Sequence, residues 1–233
     1  IANKNTIKPR IILNKVPYSD LELLGEGTYS KVFQAKNGKL LKISKDPKFN
    51  KILRSERETY KLFDIKDEKY KDYWRYFVSH VVDQGKIKVK DKSTRFVTVL
   101  EQDHPDPLYS LEHIKQNKGY IDPRHMVWVF KKVLLSLHYL HSQNIVHGSV
   151  TPDNILVNSK KTPKNHGLRL SGLTFSSVSG KITELNPKFN SWYPEECFDK
   201  KIYPETDIYM ACQNFFYMCK DDIPKLIRQY LMG

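Results

Sequence analysis

The sequence predicts an α+β fold, in which a β-rich part of about one hundred residues precedes a helical part. The pair Asn37-Gly38 separates two short apolar runs, "KVFQAK" and "KLLKIS", and such a pair is the strongest local signal for a β-hairpin. Apolar residues recur at helical spacing later in the chain, in "RHMVWVFKKVLLSLHYLHSQN". The two patterns place most strands before most helices.

The β-rich part is predicted to be a mostly antiparallel sheet with one helix. Strands are predicted in "YSDLELL" and "KVFQAK", on either side of the glycine-bearing turn "GEGTYS", and in "KLLKIS" after the hairpin. Residues 52–63 predict an amphipathic helix, because Ile52, Tyr60 and Phe63 are apolar among charged residues. Two further strands are predicted in "YFVSHVVDQGKIKV" and "STRFVTVLEQ".

The helical part begins after "DHPDP". Asp122 suits the N-cap of the longest helix and Pro123 suits its first turn. The apolar face of this helix is predicted at Val127, Phe130, Leu134, Leu137 and Leu140. Two more helices are predicted in "ETDIYMACQNFFYMC" and "DIPKLIRQYL", and a long irregular loop, of a length that is usually functional, is predicted between positions 158 and 203.

The composition narrows the class of protein. Hydrophobic residues at 39% and charged residues at 28% argue against wholesale disorder. No apolar run approaches the roughly 18 residues that span a bilayer, so no membrane span is expected. Three cysteines without a paired metal-ligand spacing favour a reducing compartment, and we expect a cytoplasmic protein.

The net charge of +13 is unevenly placed. Residues 1–100 hold 23 basic and 12 acidic residues, so this part would attract nucleic acid, an anionic surface or an acidic protein. The lysines are scattered among acids, as in "KDEKYKDYWR", and no arginine-rich run with interleaved aromatic residues occurs. Nucleic-acid binding is therefore an alternative interpretation, and an ordinary solvated lysine-rich surface is the simpler one.

Glycines, a valine, a lysine and a glutamate follow one another in an order that suggests phosphate binding. Gly25 and Gly27 lie in "LLGEGTYSKVF", with Val32 five residues after the second glycine, and glycines let a backbone approach phosphates closely. Lys42 follows on a predicted strand and Glu56 on the predicted helix, where an ion pair would present an ammonium group to phosphates. Each feature alone is an ordinary turn or an ordinary surface lysine.

Their order, together with the later stretch "HGSVTPDNIL", resembles the protein-kinase family over roughly residues 17–233. The resemblance implies a two-lobed fold, with an N-terminal extension at 1–16, a β-rich N-lobe at 17–101 and a helical C-lobe at 102–233. The C-lobe looks short, because only about a dozen residues follow "FFYMC", so either this lobe is reduced or the sequence stops early. Within the family, the His-Gly pair is similar to a group of bacterial kinase-like proteins.

The resemblance also implies roles for single residues. "GEGTYS" is similar to the phosphate-covering loop, with Ser30 in place of a third glycine, and Glu101 would begin the hinge after Leu100. "WYPEE" resembles the Ala-Pro-Glu segment, and Asp207 looks like the helix aspartate that supports the catalytic loop. The nucleotide-binding residues implied in this way are Gly25, Gly27, Val32, Lys42, Glu56, Glu101 and Asn154.

The departures from the family pattern concern catalysis. Ser149 stands where the family has the aspartate that orients the substrate hydroxyl, and Thr151 stands for the usual lysine. Gly172 falls on the metal-binding aspartate, and no carboxylate lies between Asp153 and Glu184. Since Mg²⁺ prefers anionic oxygen ligands, no strong metal site is expected. His147 is interpreted as a buried scaffold residue, and His166 as a turn residue.

The expected function is that of a pseudokinase, a regulatory or binding module with a protein partner and weak, metal-independent ATP binding. One alternative is an unconventional active Ser/Thr phosphotransferase that uses Asn154 and a relocated carboxylate, for which Asp153, Asp103 and Asp106 are the candidates. The other is the nucleic-acid-binding protein with a basic N-lobe surface.

Overall fold

The computed structural model describes residues 10–63, 77–101, 108–158, 167–178, 180–182, 184–220 and 223–232. The chain divides into two units, Ile1–Arg57 with His80–Asp103 and Glu58–Ser79 with His104–Gly233. The strands are β1 (Ile11–Leu13), β2 (Val16–Tyr18), β3 (Glu22–Glu26), β4 (Ser30–Gln34), β5 (Leu40–Ser44), β6 (His80–Lys88), β7 (Thr94–Glu101), β8 (Leu108–Ser110), β9 (Ile155–Asn158) and β10 (Leu168–Leu170). The helices are α1 (Asn50–Phe63), α2 (Leu111–Lys118), α3 (Pro123–Ser142), α4 (Pro204–Cys219) and α5 (Lys225–Met232). The predicted α+β class is confirmed.

The first unit contains a five-stranded antiparallel sheet in the order β3-β4-β5-β7-β6. The predicted Asn-Gly hairpin joins β4 to β5, and Gly38 takes a φ of +78°, which favours glycine. The Asn37 side chain accepts a hydrogen bond from the backbone N–H of Lys39 at 3.2 Å. The hairpin and the helix that was predicted at 52–63 are both confirmed.

A second hairpin, β1–β2, was not predicted from the sequence. Leu13 is only 1% exposed and packs into the core of this unit with Leu41 and Val97. A Cβ atom at Gly85 would lie 2.8 Å from Leu13 Cδ1, so glycine makes room for this side chain. Residues 11–16, which the sequence analysis assigns to an extension, therefore include a core side chain of the first unit.

The longest helix of the second unit, α3, has the predicted cap. Asp122 accepts a hydrogen bond from the Arg124 backbone N–H at 2.8 Å, and Pro123 occupies the first turn. The predicted apolar face is wrong at Val127, which is 41% exposed. The buried stripe is centred on Met126, and the next residue along a helix lies about 100° around the axis, beyond the edge of that stripe. The buried hydrophobic residues are Met126, Val129, Phe130, Val133, Leu137 and Leu140.

The predicted irregular stretch from 158 to 203 contains more structure than expected. Strand β10 pairs with β9 in a three-stranded sheet of order β10-β9-β8, and short 3₁₀ turns occur at Leu173–Phe175, Pro187–Trp192 and Glu195–Cys197. Helices α4 and α5 confirm the last two predicted helices. Within the described ranges, no helix is both long and apolar enough to cross a membrane.

Candidate functional site

The glycine-bearing hairpin of the first unit runs from β3 into β4. The Gly27 N–H donates to the Ser30 carbonyl at 2.9 Å, which closes the turn. A Cβ atom added at Gly25 would meet no atom within 4 Å, so the backbone is open at this point. Val32 is the register partner of Lys42, and directly opposed residues of neighbouring strands present their side chains on the same face of a sheet.

Lys42 and Glu56 form a shielded ion pair. Lys42 Nζ lies 2.9 Å from Glu56 Oε2 and 3.2 Å from Oε1, and the two side chains are 15% and 2% exposed. The predicted ion-pair distance is confirmed. Because the Glu56 carboxylate comes from the buried face of α1, it fixes the Lys42 ammonium on one face of the sheet, where it is suited to binding phosphate oxygens.

Glu101 ends strand β7 in an ion-pair cluster. Lys39 Nζ lies 2.6 Å from Glu101 Oε1, and His80 Nδ1 lies 2.9 Å from Oε2. The hydrogen bond from Lys39 lowers the pKa of this carboxyl, burial opposes the shift, and the contact with His80 lowers the pKa further. The side chain is thus held by two partners, and its predicted part in nucleotide binding stays a prediction.

In the second unit, Asp207 anchors the loop that begins at His147. Its Oδ2 and Oδ1 atoms accept hydrogen bonds from the backbone N–H groups of His147 and Gly148, each at 2.8 Å. His141 Nε2 lies 2.8 Å from the same Oδ2. His147 is fully buried, and its Nε2 lies 3.0 Å from the Ser171 carbonyl oxygen. The predicted scaffold roles of Asp207 and His147 are confirmed, while His166 lies outside the described residues.

Ser149 and Asn154 are bonded to each other. The Asn154 amide Nδ2 donates to the Ser149 carbonyl at 2.9 Å and to Ser149 Oγ at 3.2 Å. Ser149 and Thr151 are both 0% exposed, and the Thr151 hydroxyl has no hydrogen-bond partner within the described part of the chain. The Asn154 amide therefore stabilises the backbone of its own loop.

Gly172 lies against the same amide. Its φ is +77°, and a Cβ atom built there would lie 2.3 Å from Asn154 Oδ1. A side chain at position 172 would therefore have to displace Asn154. Gly172, Asn154 and Ser149 form an interlocked set, which we call the loop triad. Among the described residues, no group of three or more His, Cys, Asp or Glu side chains is arranged to hold a metal ion.

Tyr193 contacts this loop, a role that was not predicted from the sequence. It is 4% exposed, and its hydroxyl donates to the Gly148 carbonyl at 3.0 Å and accepts from the Asn186 N–H at 3.2 Å. The sequence signal was an aromatic residue in place of alanine in "WYPEE". This hydroxyl ties the 3₁₀ segment Pro187–Trp192 to the loop that begins at His147.

Lys188, on that same segment, covers two carboxylates. Its Nζ lies 2.9 Å from Asp153 Oδ2 and 3.4 Å from Glu112 Oε1. Burial lowers the pKa of Lys188, but the hydrogen bonds and charges of Asp153 and Glu112 outweigh it and leave this pKa raised. Asp153 is thereby ion-paired, and the other candidate relocated carboxylates, Asp103 and Asp106, lie outside the described residues.

Both units match one family. A family model described as "Protein kinase domain" matches residues 18–222. This chain belongs to the protein kinase domain family. The protein kinase resemblance drawn from Lys42, Glu56, Asn154 and Asp207 is confirmed at the level of the family, and the finer likeness to a bacterial group stays a prediction.

Individual protein kinases are similar to parts of this chain. Sperm motility kinase 1 of Mus musculus is 29% identical over 160 residues, which are 66% of this chain and 29% of that protein. NUAK family SNF1-like kinase 2 of Rattus norvegicus is 28% identical over 166 residues, 67% of this chain and 23% of that protein. CTD kinase subunit alpha of Saccharomyces cerevisiae is 28% identical over 176 residues, 76% of this chain and 31% of that protein. The matches span less than a third of each of these relatives.

Proposed function

We propose that this protein kinase domain is a pseudokinase, which binds ATP weakly through its first unit, does not transfer phosphate efficiently, and regulates or binds a protein partner. The loop triad is the observation that carries the proposal. Its three members stand at positions where the resemblance places a catalytic aspartate, a metal-facing asparagine and a metal-binding aspartate. The cysteines of the chain, Cys197, Cys212 and Cys219, are all free, which fits a reducing compartment such as the cytoplasm.

The loss of a general base at Ser149 supports the proposal. A serine hydroxyl is not a base near neutral pH, and the loss of general-base catalysis costs on the order of 10² to 10⁴ in rate. Ser149 is also fully buried, and its Oγ accepts a hydrogen bond from Asn154. Its position therefore offers a substrate hydroxyl neither a carboxylate nor an exposed oxygen.

The residues present do not fit the Mg²⁺ site that the family implies. Gly172 has no side chain, and Asn154 already uses its amide nitrogen on Ser149. One amide oxygen is a poor ligand set for an ion that prefers anionic oxygens in octahedral geometry. We therefore assign no metal-dependent step to this chain.

ATP binding is supported by the first unit alone. In active kinases the strand lysine and the helix glutamate must form an ion pair, and Lys42 and Glu56 are 2.9 Å apart here. The Gly25–Gly27 backbone and the Lys42 ammonium supply dipoles and one positive charge. A triphosphate carries more negative charge than these groups offset, so the affinity is expected to be weak and not to need a metal ion.

An active phosphotransferase is the second candidate. It is favoured by the same Lys42–Glu56 ion pair and by the names of the three relatives given above, each of which is a kinase. Its main requirement is a relocated carboxylate. Asp153 is the described candidate, and Lys188 neutralises it at 2.9 Å.

Calorimetric titration with ATP, in EDTA and then in Mg²⁺ or Mn²⁺, tests the first candidate against the second. We expect weak binding that metal does not strengthen, that Lys42→Met abolishes, and that Lys36→Met, a loss of one exposed lysine, leaves intact. A radiolabel assay should show transfer at least ~10³ below that of an ordinary kinase. Robust transfer that disappears in Lys42→Met would establish the enzyme instead.

A further inference from the structure

The tip of the glycine-bearing hairpin is held by a residue outside it. Lys45, which follows β5, places its Nζ 2.6 Å from Glu26 Oε1 and 3.1 Å from the Gly27 carbonyl oxygen. Glu26 also pairs with Lys31, whose Nζ lies 3.2 Å from Oε2. The hydrogen bond from Lys45, followed by that from Lys31, lowers the pKa of Glu26, so this carboxylate stays ionised at neutral pH.

Lys45 and the residues that follow it also hold the turn on its C-terminal side, at Tyr29. The Lys45 backbone N–H donates to the Tyr29 carbonyl at 3.0 Å. The Tyr29 ring meets the Phe49 ring edge to face, with centroids 5.1 Å apart. Lys45 thus reaches the residues on both sides of the tip, through its side chain on one side and its backbone on the other.

The sheet register places the Glu26 and Lys31 partners of this ion-pair cluster on the face of the sheet opposite the Lys42 ammonium. Lys42 pairs with Val32, whereas Glu26 pairs with Lys31, the residue next to Val32. Since successive side chains of a strand point to opposite faces, Glu26 and Lys31 lie on the face opposite Lys42. Lys45 therefore acts on the hairpin from the face away from the proposed phosphate-binding lysine.

We propose that Lys45 is a positioning residue, which restrains the glycine-bearing hairpin so that its backbone is pre-organised to cover nucleotide phosphates. This inference rests on the proposed function. Glycines leave a backbone more conformational freedom to lose on binding, so a restraint on Gly25 and Gly27 lowers the cost of ordering the loop. The Lys45 and Glu26 side chains are 30% and 42% exposed, so the effect of their ion pair is modest.

The experiment compares Lys45→Met with Lys45→Arg and with Lys36→Met, which removes the same charge from an exposed position on the next hairpin. Affinities for ATP and for adenosine are measured in EDTA. We expect Lys45→Met to lower the ratio of ATP to adenosine affinity about two- to fivefold, the range of an exposed ion pair. Lys45→Arg should restore the ratio, and Lys36→Met should leave it unchanged.

Hydrogen exchange of the free protein gives a second, ligand-independent measurement. Amides of residues 26–30 should exchange faster in Lys45→Met than in Lys36→Met. Unchanged exchange, or an equal change of the affinity ratio in both variants, would overturn the proposal. If the wild type binds neither ATP nor adenosine, the proposed nucleotide binding fails, and the exchange rates alone decide whether Lys45 restrains the hairpin.

Discussion

At Gly172 there is no room for a side chain beside Asn154. Its φ of +77° costs nothing for glycine, and the space where its Cβ would lie is taken by the Asn154 amide. That amide in turn holds Ser149. Under the proposed pseudokinase function, the missing carboxylate at 172 and the turn of Asn154 toward Ser149 are two sides of one arrangement, so the three positions are best understood together.

A glycine-to-alanine pair measures this contact. Gly172 and Gly38 both have φ values near +78°, but a Cβ at Gly38 would meet no atom within 4 Å. We expect Gly38→Ala to lower the free energy of unfolding by about 1–2 kcal/mol through backbone strain. Gly172→Ala should cost about 1–3 kcal/mol more, because Asn154 must leave Ser149. Urea denaturation checks both values.

Asn154→Ala provides the control for that measurement. In the Asn154→Ala background, the added cost of Gly172→Ala should fall to that of Gly38→Ala, since the obstructing amide is gone. Equal costs of the two glycine changes in the wild-type background would contradict the contact.

At the scale of elements, Tyr193 fastens a 3₁₀ segment to a loop 45 residues away in sequence. The pattern "WYPEE" indicates the motif but not this contact, because the partner is the backbone carbonyl of Gly148. The same limit applies to Lys45 and Lys188, whose partners come from other elements. Periodicity, caps and turn residues act within an element, so they predicted α3, its Asp122 cap and the Asn-Gly hairpin. They did not predict β1 and β2, which have only three residues each.

Tyr193→Phe tests the fastening. The change removes one hydroxyl and leaves the buried Asn186 N–H and the Gly148 carbonyl without this partner, so we expect a loss of about 1–3 kcal/mol in the free energy of unfolding. Tyr209→Phe is the matched control, since Tyr209 is 44% exposed on α4 and should change stability by less than about 0.5 kcal/mol. A similar small loss for both variants would show that the Tyr193 hydroxyl does not stabilise the segment.

The Lys39–Glu101–His80 cluster at the end of β7 predicts a pH dependence. The folded-state pKa of Glu101 lies below its ordinary value of 4.5, so its ionised form favours the folded state. This contribution is fully present above the ordinary pKa and is lost as the pH falls through the lower, folded-state pKa. Glu101→Gln should therefore cost about 0.2–1 kcal/mol at pH 7 and less below pH 4.5.

Glu22→Gln is the control for the cluster, because Glu22 is exposed on β3 and has no ion-pair partner among the described residues. Denaturation of both variants and the wild type between pH 7 and pH 3 gives the comparison. A cost for Glu101→Gln that does not change with pH would contradict the assigned role of its charge.

At the scale of the whole molecule, the family was predictable because its markers are spread along the chain in a fixed order. The positions of Lys42, Glu56, Asn154 and Asp207 could be taken from that order alone. The interlocking of Asn154 with Gly172 could not, since it depends on a backbone φ and a side-chain orientation. The excess of basic over acidic residues in 1–100 leaves nucleic-acid binding as a prediction, for which a steep dependence of binding on salt is the test.

The double variant Ser149→Asp plus Gly172→Asp tests the proposed pseudokinase function, because it places carboxylates at the two positions where the resemblance implies them. We expect no recovery of phosphotransfer. An aspartate at 172 adopts an unfavourable φ and places its Cβ 2.3 Å from Asn154 Oδ1, so it would displace the amide that a metal site needs. An aspartate at 149 would be buried, and two carboxylates without bound metal would repel each other and be partly desolvated.

The measurement is γ-phosphate transfer to a peptide library in Mg²⁺ or Mn²⁺, beside a thermal melt that shows whether the double variant is folded. Ser30 and Thr151, which replace a glycine and a lysine of the family pattern, would remain as further obstacles to covering and neutralising the transferred phosphate. Clear transfer by a folded double variant would refute this wider loss. It would also mean that Asn154 can leave Ser149 and turn to a metal ion, so that the loop triad is a resting arrangement of an otherwise intact site.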